Sequence, residues 1–144
     1  MLSQPCKYGL RSLVLMASQK DKEMFKISDI ADELDIPKYY LTKIMQRLTD
    51  AGFLSSYKGP NGGIRFLRKP EDISFDEIIR LYDGEKYLKD CLLGFPGYNN
   101  FEDCPLGIEW QKKKTELLDS LRNNNLMSVV NQLKTESEIL KLIK

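Results

Sequence analysis

The 144-residue chain contains no histidine. Without imidazole there is no common general base near neutral pH, no Ser-His-Asp or Cys-His arrangement and no histidine-bearing metal site. Hydrolytic and most metal-dependent enzymes are accordingly disfavoured, and no nucleophile, base and orienting group assemble from the motifs present. Cysteine is scarce as well: Cys6, Cys91 and Cys104 are an odd number, which makes a structural disulfide framework an unexpected use for them. They are thiols, metal ligands or redox sensors. No apolar run approaches the ~20 residues that a membrane-spanning helix needs. At the N-terminus Lys7 and Arg11 interrupt the apolar residues, so a signal peptide is not expected and the cytoplasm is the expected location. With 42% apolar and 30% charged residues, composition gives no case for disorder, and the length suits one domain with an appendage.

The charge that is present is unevenly placed. Formal net charge is only +1, yet residues 1–69 hold 12 basic and 7 acidic side chains, and residues 70–144 hold 10 and 14. Residues 38–69 carry seven basic residues against the single acidic Asp50. A basic segment on a nearly neutral chain suggests a confined polyanion-binding face. On charge alone, an ordinary solvated surface explains it equally well.

Apolar periodicity supplies the framework. Leu10, Leu13, Val14 and Ala17 recur at helical spacing within Tyr8 to Ser18, predicting a first amphipathic helix. In "ISDIADELDI", Ser28 stands where it could cap a short helix burying Ile30, Ala31 and Leu34,. After Asp35 and Ile36, Pro37 suits the start of the next helix, "KYYLTKIMQRLTDAG",. Leu41, Ile44, Met45 and Leu48 are its inward residues, and Gly52 suits its C-terminal stop. Its outward side carries Lys38, Tyr39, Thr42, Lys43 and Arg47. Two short helices about a tight turn, the second one basic, describe a helix-turn-helix or an ordinary helical hairpin.

The stretch "SSYKGPNGGIRF" separates these. A loop that cradles phosphate feeds a helix and carries Gly-Lys-Ser/Thr or G-x-G-x-x-G. Here "GPNGG" lies between two β-like runs, "FLSSYK" and "IRFLRK", and reads as a hairpin tip with Lys58 at its base. Helix, helix, helix, hairpin is the order of a winged helix. Beyond it, Ser74 can cap a fourth helix burying Phe75, Ile78, Ile79 and Tyr82. From Ile108 a longer helix places Trp110, Leu117, Leu118 and Leu121 on one side, suited to dimerisation or to packing on its own domain. In the tail, Ile139, Leu140, Leu142 and Ile143 need a partner surface.

These residues resemble a known family. "YGLRSLVLMA", "ISDIADELDIPKYYLTKIMQRLTDAGFLSSYKGPNGGIRF" and the cysteine-bearing "CLLGFPGYNNFEDCPL" are similar to the bacterial winged-helix transcriptional regulators of the Rrf-two family, which includes IscR, NsrR and CymR. The resemblance spans roughly residues 6–122 and is most specific at Tyr8-Gly9-Leu10-Arg11 and at Lys58 to Gly63. It implies a homodimer on a dyad-symmetric operator. By similarity, Tyr40, Thr42 and Lys43 face the major groove, and Lys58 matches a wing position that enters the minor groove, with Gly59 and Asn61 beside it. Lysines give salt-dependent phosphate affinity, while short polar side chains and aromatic hydroxyls discriminate base edges.

The resemblance leaves the cysteines with three readings. Cluster-binding relatives carry three loop cysteines plus a histidine or an acidic ligand, but here Gly97 and Gly107 occupy two of those places. An iron-sulfur cluster, which needs four ligands, would recruit Cys6 and a carboxylate such as Glu102 or Asp103 beside Cys91 and Cys104. A second reading is a reversible Cys91–Cys104 disulfide, although Asp90 and Asp103 disfavour thiolates and only Lys89 favours them. In the third the thiols are inert, and a regulatory protein or small effector governs the protein.

The expected fold is therefore mainly α with a small β-hairpin: a winged helix-turn-helix over residues 1–83 including the fourth helix, a cysteine-bearing loop over 84–107, and a helical dimerisation region over 108–144. The expected function is sequence-specific binding of double-stranded DNA as a homodimeric regulator, more readily a repressor. Recognition falls to residues 38–47 and 57–63. The alternative is a small helical adaptor that turns the same basic face to an acidic protein partner.

Overall fold

A computed structural model describes residues 2–85, 93, 97, 103–133 and 135–143. The first helix, α1 (Gln4–Ser18), begins earlier than its apolar spacing indicates. Ser3 accepts a hydrogen bond from the Cys6 N–H, and Pro5 lies in the first turn, where its missing N–H costs nothing,. The helix is also buried far beyond one stripe, with Ser12, Leu15 and Met16 as enclosed as Leu13 and Val14. Neighbours on several sides, the helices of both ends of the chain among them, make it the axis of the fold.

The helix-turn-helix follows as α2 (Ile27–Leu34) and α3 (Lys38–Asp50). Their turn is made by Asp35 in the left-handed region at φ 53°, and Ile36 returns its N–H to Ala31 O at 2.9 Å. Ser28 does not cap α2: it lies inside the first turn, and Lys26 occupies the capping position without a side-chain bond. The expected inward residues of α3 are all buried. Its end is a Schellman stop, Gly52 N–H to Thr49 O at 3.1 Å and Phe53 N–H to Leu48 O at 3.0 Å,.

The wing is an antiparallel pair, β1 (Leu54–Tyr57) and β2 (Gly63–Phe66), in the register Leu54 with Phe66 and Tyr57 with Gly63. Phe25, from the α1–α2 connection, flanks it: Phe25 and Ile64 exchange both backbone hydrogen bonds at 2.8 Å. After a 3₁₀ turn (Pro70–Asp72), α4 (Phe75–Asp83) opens on a capping box between Ser74 and Glu77, buttressed by an Arg68–Glu77 ion pair at 2.9 Å,.

Beyond the cysteine-bearing loop, α5 (Gly107–Asn123) docks on α4. Asp76, nearly buried, accepts from Arg80 on its own helix at 2.9 Å and from Arg122 of α5 at 3.4 Å. Lys114 falls within the Trp110–Leu117–Leu118–Leu121 stripe and is buried all the same, its ammonium 5.6 Å from the Trp110 ring centre,. The tail then turns back. In α6 (Leu126–Gln132) and α7 (Glu136–Ile143), Leu126, Met127, Val130, Ile139 and Ile143 enter the common core against α1. That is the surface the apolar tail lacks when read alone, for Ile139, Ile143 and in part Leu140; Leu142 stays exposed. No helix among the described residues is long and apolar enough to cross a membrane.

Candidate nucleic-acid interface

The starts of α2 and α3 and the hairpin tip lie side by side. An open cleft of about 360 Å³ runs between them, lined by Lys26, Ser28, Lys38, Tyr57, Gly59 and Gly62 among others. Neither α2 nor α3 has a side-chain cap at its N-terminus. Their first N–H groups, which no intrahelical carbonyl can satisfy, make the positive ends of two helix dipoles at this cleft. With Lys26 and Lys38 alongside, the cleft has the charge and donor character that a phosphate backbone requires.

The expected contacts separate into groups. Lys38, Lys43 and Tyr39 are exposed on α3, Tyr39 at 75%, with the Lys43 ammonium 4.5 Å from the Tyr39 ring centre. The pair offers a cation and an aromatic edge on one surface. Thr42 is exposed, and its hydroxyl donates to Lys38 O at 2.8 Å. Lys58, Gly59 and Asn61 are exposed on the wing. Tyr40 is only half-exposed, because its ring meets Tyr8 of α1 edge-on, with centroids 5.8 Å apart,. Arg47 is exposed but turned away from the cleft, its guanidinium 4.9 Å from the centre of the Tyr82 ring and donating to Leu81 O in α4.

Three residues join the set unforeseen. Lys26 and Ser28 line the cleft, and Arg65 on β2 covers the Tyr57 ring at 5.2 Å. Lys26 belongs to a connection of mixed charge, so only the fold gathers it with Lys38. Arg65 is visible in the sequence as the alternating polar residue of a strand beside the glycine-rich tip.

The cysteines do not converge among the described residues. Cys6 is fully buried in α1. Burial, then the Asp83 carboxylate's charge and its hydrogen bond, push the thiol up to about 12, which keeps it protonated where a ligand must be thiolate,. Cys104 is buried and Asp103 exposed. Cys91, Glu102, Lys89 and Asp90 lie outside the described residues. No group of three His, Cys, Asp or Glu side chains able to hold a metal occurs among the described residues, and within them Cys6 is a core thiol hydrogen-bonded to Asp83.

Comparison with known proteins agrees with this geometry. The family described as "Rrf2: Iron-dependent Transcriptional regulator" matches residues 2–132. The chain is 37% identical over 124 residues to the HTH-type transcriptional regulator NsrR of Bacillus licheniformis, covering 85% of this chain and 87% of that protein. Among solved structures it is similar to CymR, the global cysteine regulator of B. subtilis, with a TM-score of 0.77 at 19% identity over 93% of this chain and 98% of that one. It is similar also to T. potens IscR, at a TM-score of 0.72 and 21% identity over 93% and 88%. The latter two likenesses show the winged-helix fold. A basic helix-turn-helix and wing on that fold, with a family match over nearly the whole chain, mean that this protein belongs to the Rrf2 family of transcriptional regulators.

Proposed function

We propose that the protein is a homodimeric repressor in the cytoplasm that binds a dyad-symmetric DNA operator, with α3 in the major groove and the wing against the minor groove. The observation that carries this reading is the shared cleft. It brings the uncapped starts of α2 and α3, Lys26 and Lys38 to the wing tip. Farther along α3, Tyr39 and Thr42 supply base-edge contacts and Lys43 a phosphate contact, and Lys58 and Asn61 act from the wing. Dimerisation through α5 accounts for Leu106, Ile108 and Leu117, which stay exposed at 41%, 79% and 50% on a single chain,. The signal is a redox or iron-sulfur one carried by the cysteine-bearing loop. Control by a partner protein, an effector or the Cys91 and Cys104 pair fits the residues present.

Binding to duplex DNA measured against salt tests this. Sequence preference with a steep logarithmic decline is expected, and Lys58→Ala should lower the slope by about one phosphate contact. A Lys58→Ala affinity equal to wild type at every salt concentration would remove the wing from the interface. Preference for an acidic protein over all duplexes would favour an adaptor.

A further inference from the structure

The motif Tyr8-Gly9-Leu10-Arg11 and the outward Arg47 find their use at one place, the last turn of α4. Leu81 O accepts from the Arg47 guanidinium. Tyr82 lays its ring beneath that guanidinium, 4.9 Å from it, and donates its hydroxyl proton to Ile44 O in the middle of α3 at 2.7 Å. Asp83 accepts from Ser3 N–H at 3.0 Å at the head of α1. The Tyr82 ring can lie there only because position 9 has no side chain: a Cβ on Gly9 would come within 2.7 Å of Tyr82 Cε2. One residue before, Tyr8 meets Tyr40 edge-on, and the Arg11 guanidinium is 5.9 Å from the Tyr8 ring centre. Tyr40, Ile44 and Arg47 are one turn apart along α3, so α1 and α4 grip it over two turns on one side.

We propose that this bracket sets the axial rotation of the recognition helix, with Tyr82 and Arg47 as positioning residues rather than DNA contacts. The proposal rests on the DNA-binding reading of α3. Helix rotation matters because an outward side chain reaching about 6 Å from the axis moves roughly 2 Å when the helix turns by about 20°. A hydrogen bond to a base edge does not survive such a displacement, whereas a lysine's attraction to phosphate falls off gently. The bracket therefore governs sequence discrimination more than total affinity.

The test uses the intact protein. A preferred duplex is first selected from random sequence with wild type, and affinities for it and for a scrambled duplex of equal length are measured across salt. Tyr82→Phe keeps the ring in the Gly9 notch and removes one hydrogen bond; Arg47→Gln removes the guanidinium. Each is expected to reduce the ratio of preferred to scrambled affinity about fivefold. The Arg47→Gln salt slope should equal that of wild type, whereas Lys43→Gln should lower it by about one. An unchanged ratio in Tyr82→Phe, or an Arg47→Gln slope lowered by about one, overturns the proposal. A lowered folded fraction scales both affinities alike and leaves the ratio unchanged, so a fall of both affinities together at constant ratio, with a lowered melting temperature, also counts against it. Absence of any sequence preference in wild type sinks the DNA-binding reading itself, and is seen before a variant is made.

Discussion

Replacing Gly63 by alanine should separate the wing from the body of the protein. Gly63 has φ +150°, and a Cβ there would lie 2.2 Å from Phe25 O and 3.0 Å from the Phe25 carbonyl carbon. Both are backbone atoms, so no side-chain rotation relieves the clash. Phe25 O is also the acceptor for Ile64 N–H, and the paired bond returns from Phe25 N–H to Ile64 O, each at 2.8 Å. Relief therefore displaces both bonds. Two backbone hydrogen bonds at about 1 kcal/mol each, plus about 1 kcal/mol of backbone strain, give a loss of roughly 2–4 kcal/mol. That is a substantial share of the ~5–15 kcal/mol available to a domain. Urea unfolding followed by far-UV dichroism measures it, with Gly59→Ala as control. Gly59 also has positive φ, at +104°, but open space around its Cβ, so strain alone, about 1 kcal/mol, applies. A Gly63→Ala loss no greater than that of Gly59→Ala would refute the claim that the Phe25 contact anchors the wing.

Three further outcomes are expected. Leu117→Asp, at a half-exposed position of α5, should leave the fold intact and convert a dimer to a monomer in sedimentation velocity; an unchanged sedimentation coefficient would move the interface elsewhere. Burial alone would raise the Glu77 carboxyl, but bonds from Arg68 and from the Ser74 backbone and hydroxyl outweigh it and hold the group below its ordinary 4.5. A depressed folded value means stability present above 4.5 and lost as pH falls through the folded value. The urea midpoints of wild type and Glu77→Gln should therefore converge in acid, and a constant gap would show that the charge is irrelevant. Because Cys6 is held protonated with its thiol pushed up to about 12, it should resist iodoacetamide at pH 8 until the protein unfolds. Its share of stability is complete below the ordinary value of 9.0 and lost as pH rises toward 12,. Mass spectrometry of the alkylated peptide decides, and labelling at the rate of an exposed thiol would mean that the N-terminal turn of α1 opens.

Much of the architecture was legible because it rests on local signals. The 3.6-residue spacing of Leu41, Ile44, Met45 and Leu48, the stop at Gly52, the Ser74 cap and the turn chemistry of "GPNGG" each act within a few residues, and each appears as expected. What escaped depends on partners distant in sequence. Ser28 has capping chemistry, but Lys26 takes the extended conformation before α2, which moves Ser28 inside. No periodicity announces that α1 is enclosed well beyond one face, since part of that burial comes from helices more than a hundred residues away and the rest chiefly from α3 and α4. Arg47 looks like any outward basic residue of a recognition helix, and only the position of Tyr82 in the notch at Gly9 shows why it faces α4. The carboxylate of Asp83 beside the Cys6 thiol is likewise invisible in the sequence, because the two lie far apart along the chain.

The return of α7 to α1 carries a consequence for the cleft. Ile139 and Ile143 complete the enclosure of α1, the helix on which α3 rests. Without them the recognition helix stands on an unfinished support. Loss of α7 is therefore felt at the cleft, which α7 does not touch: a chain lacking it would leave apolar area of α1 bare and be drawn toward aggregation or proteolysis although every residue of the cleft is intact,.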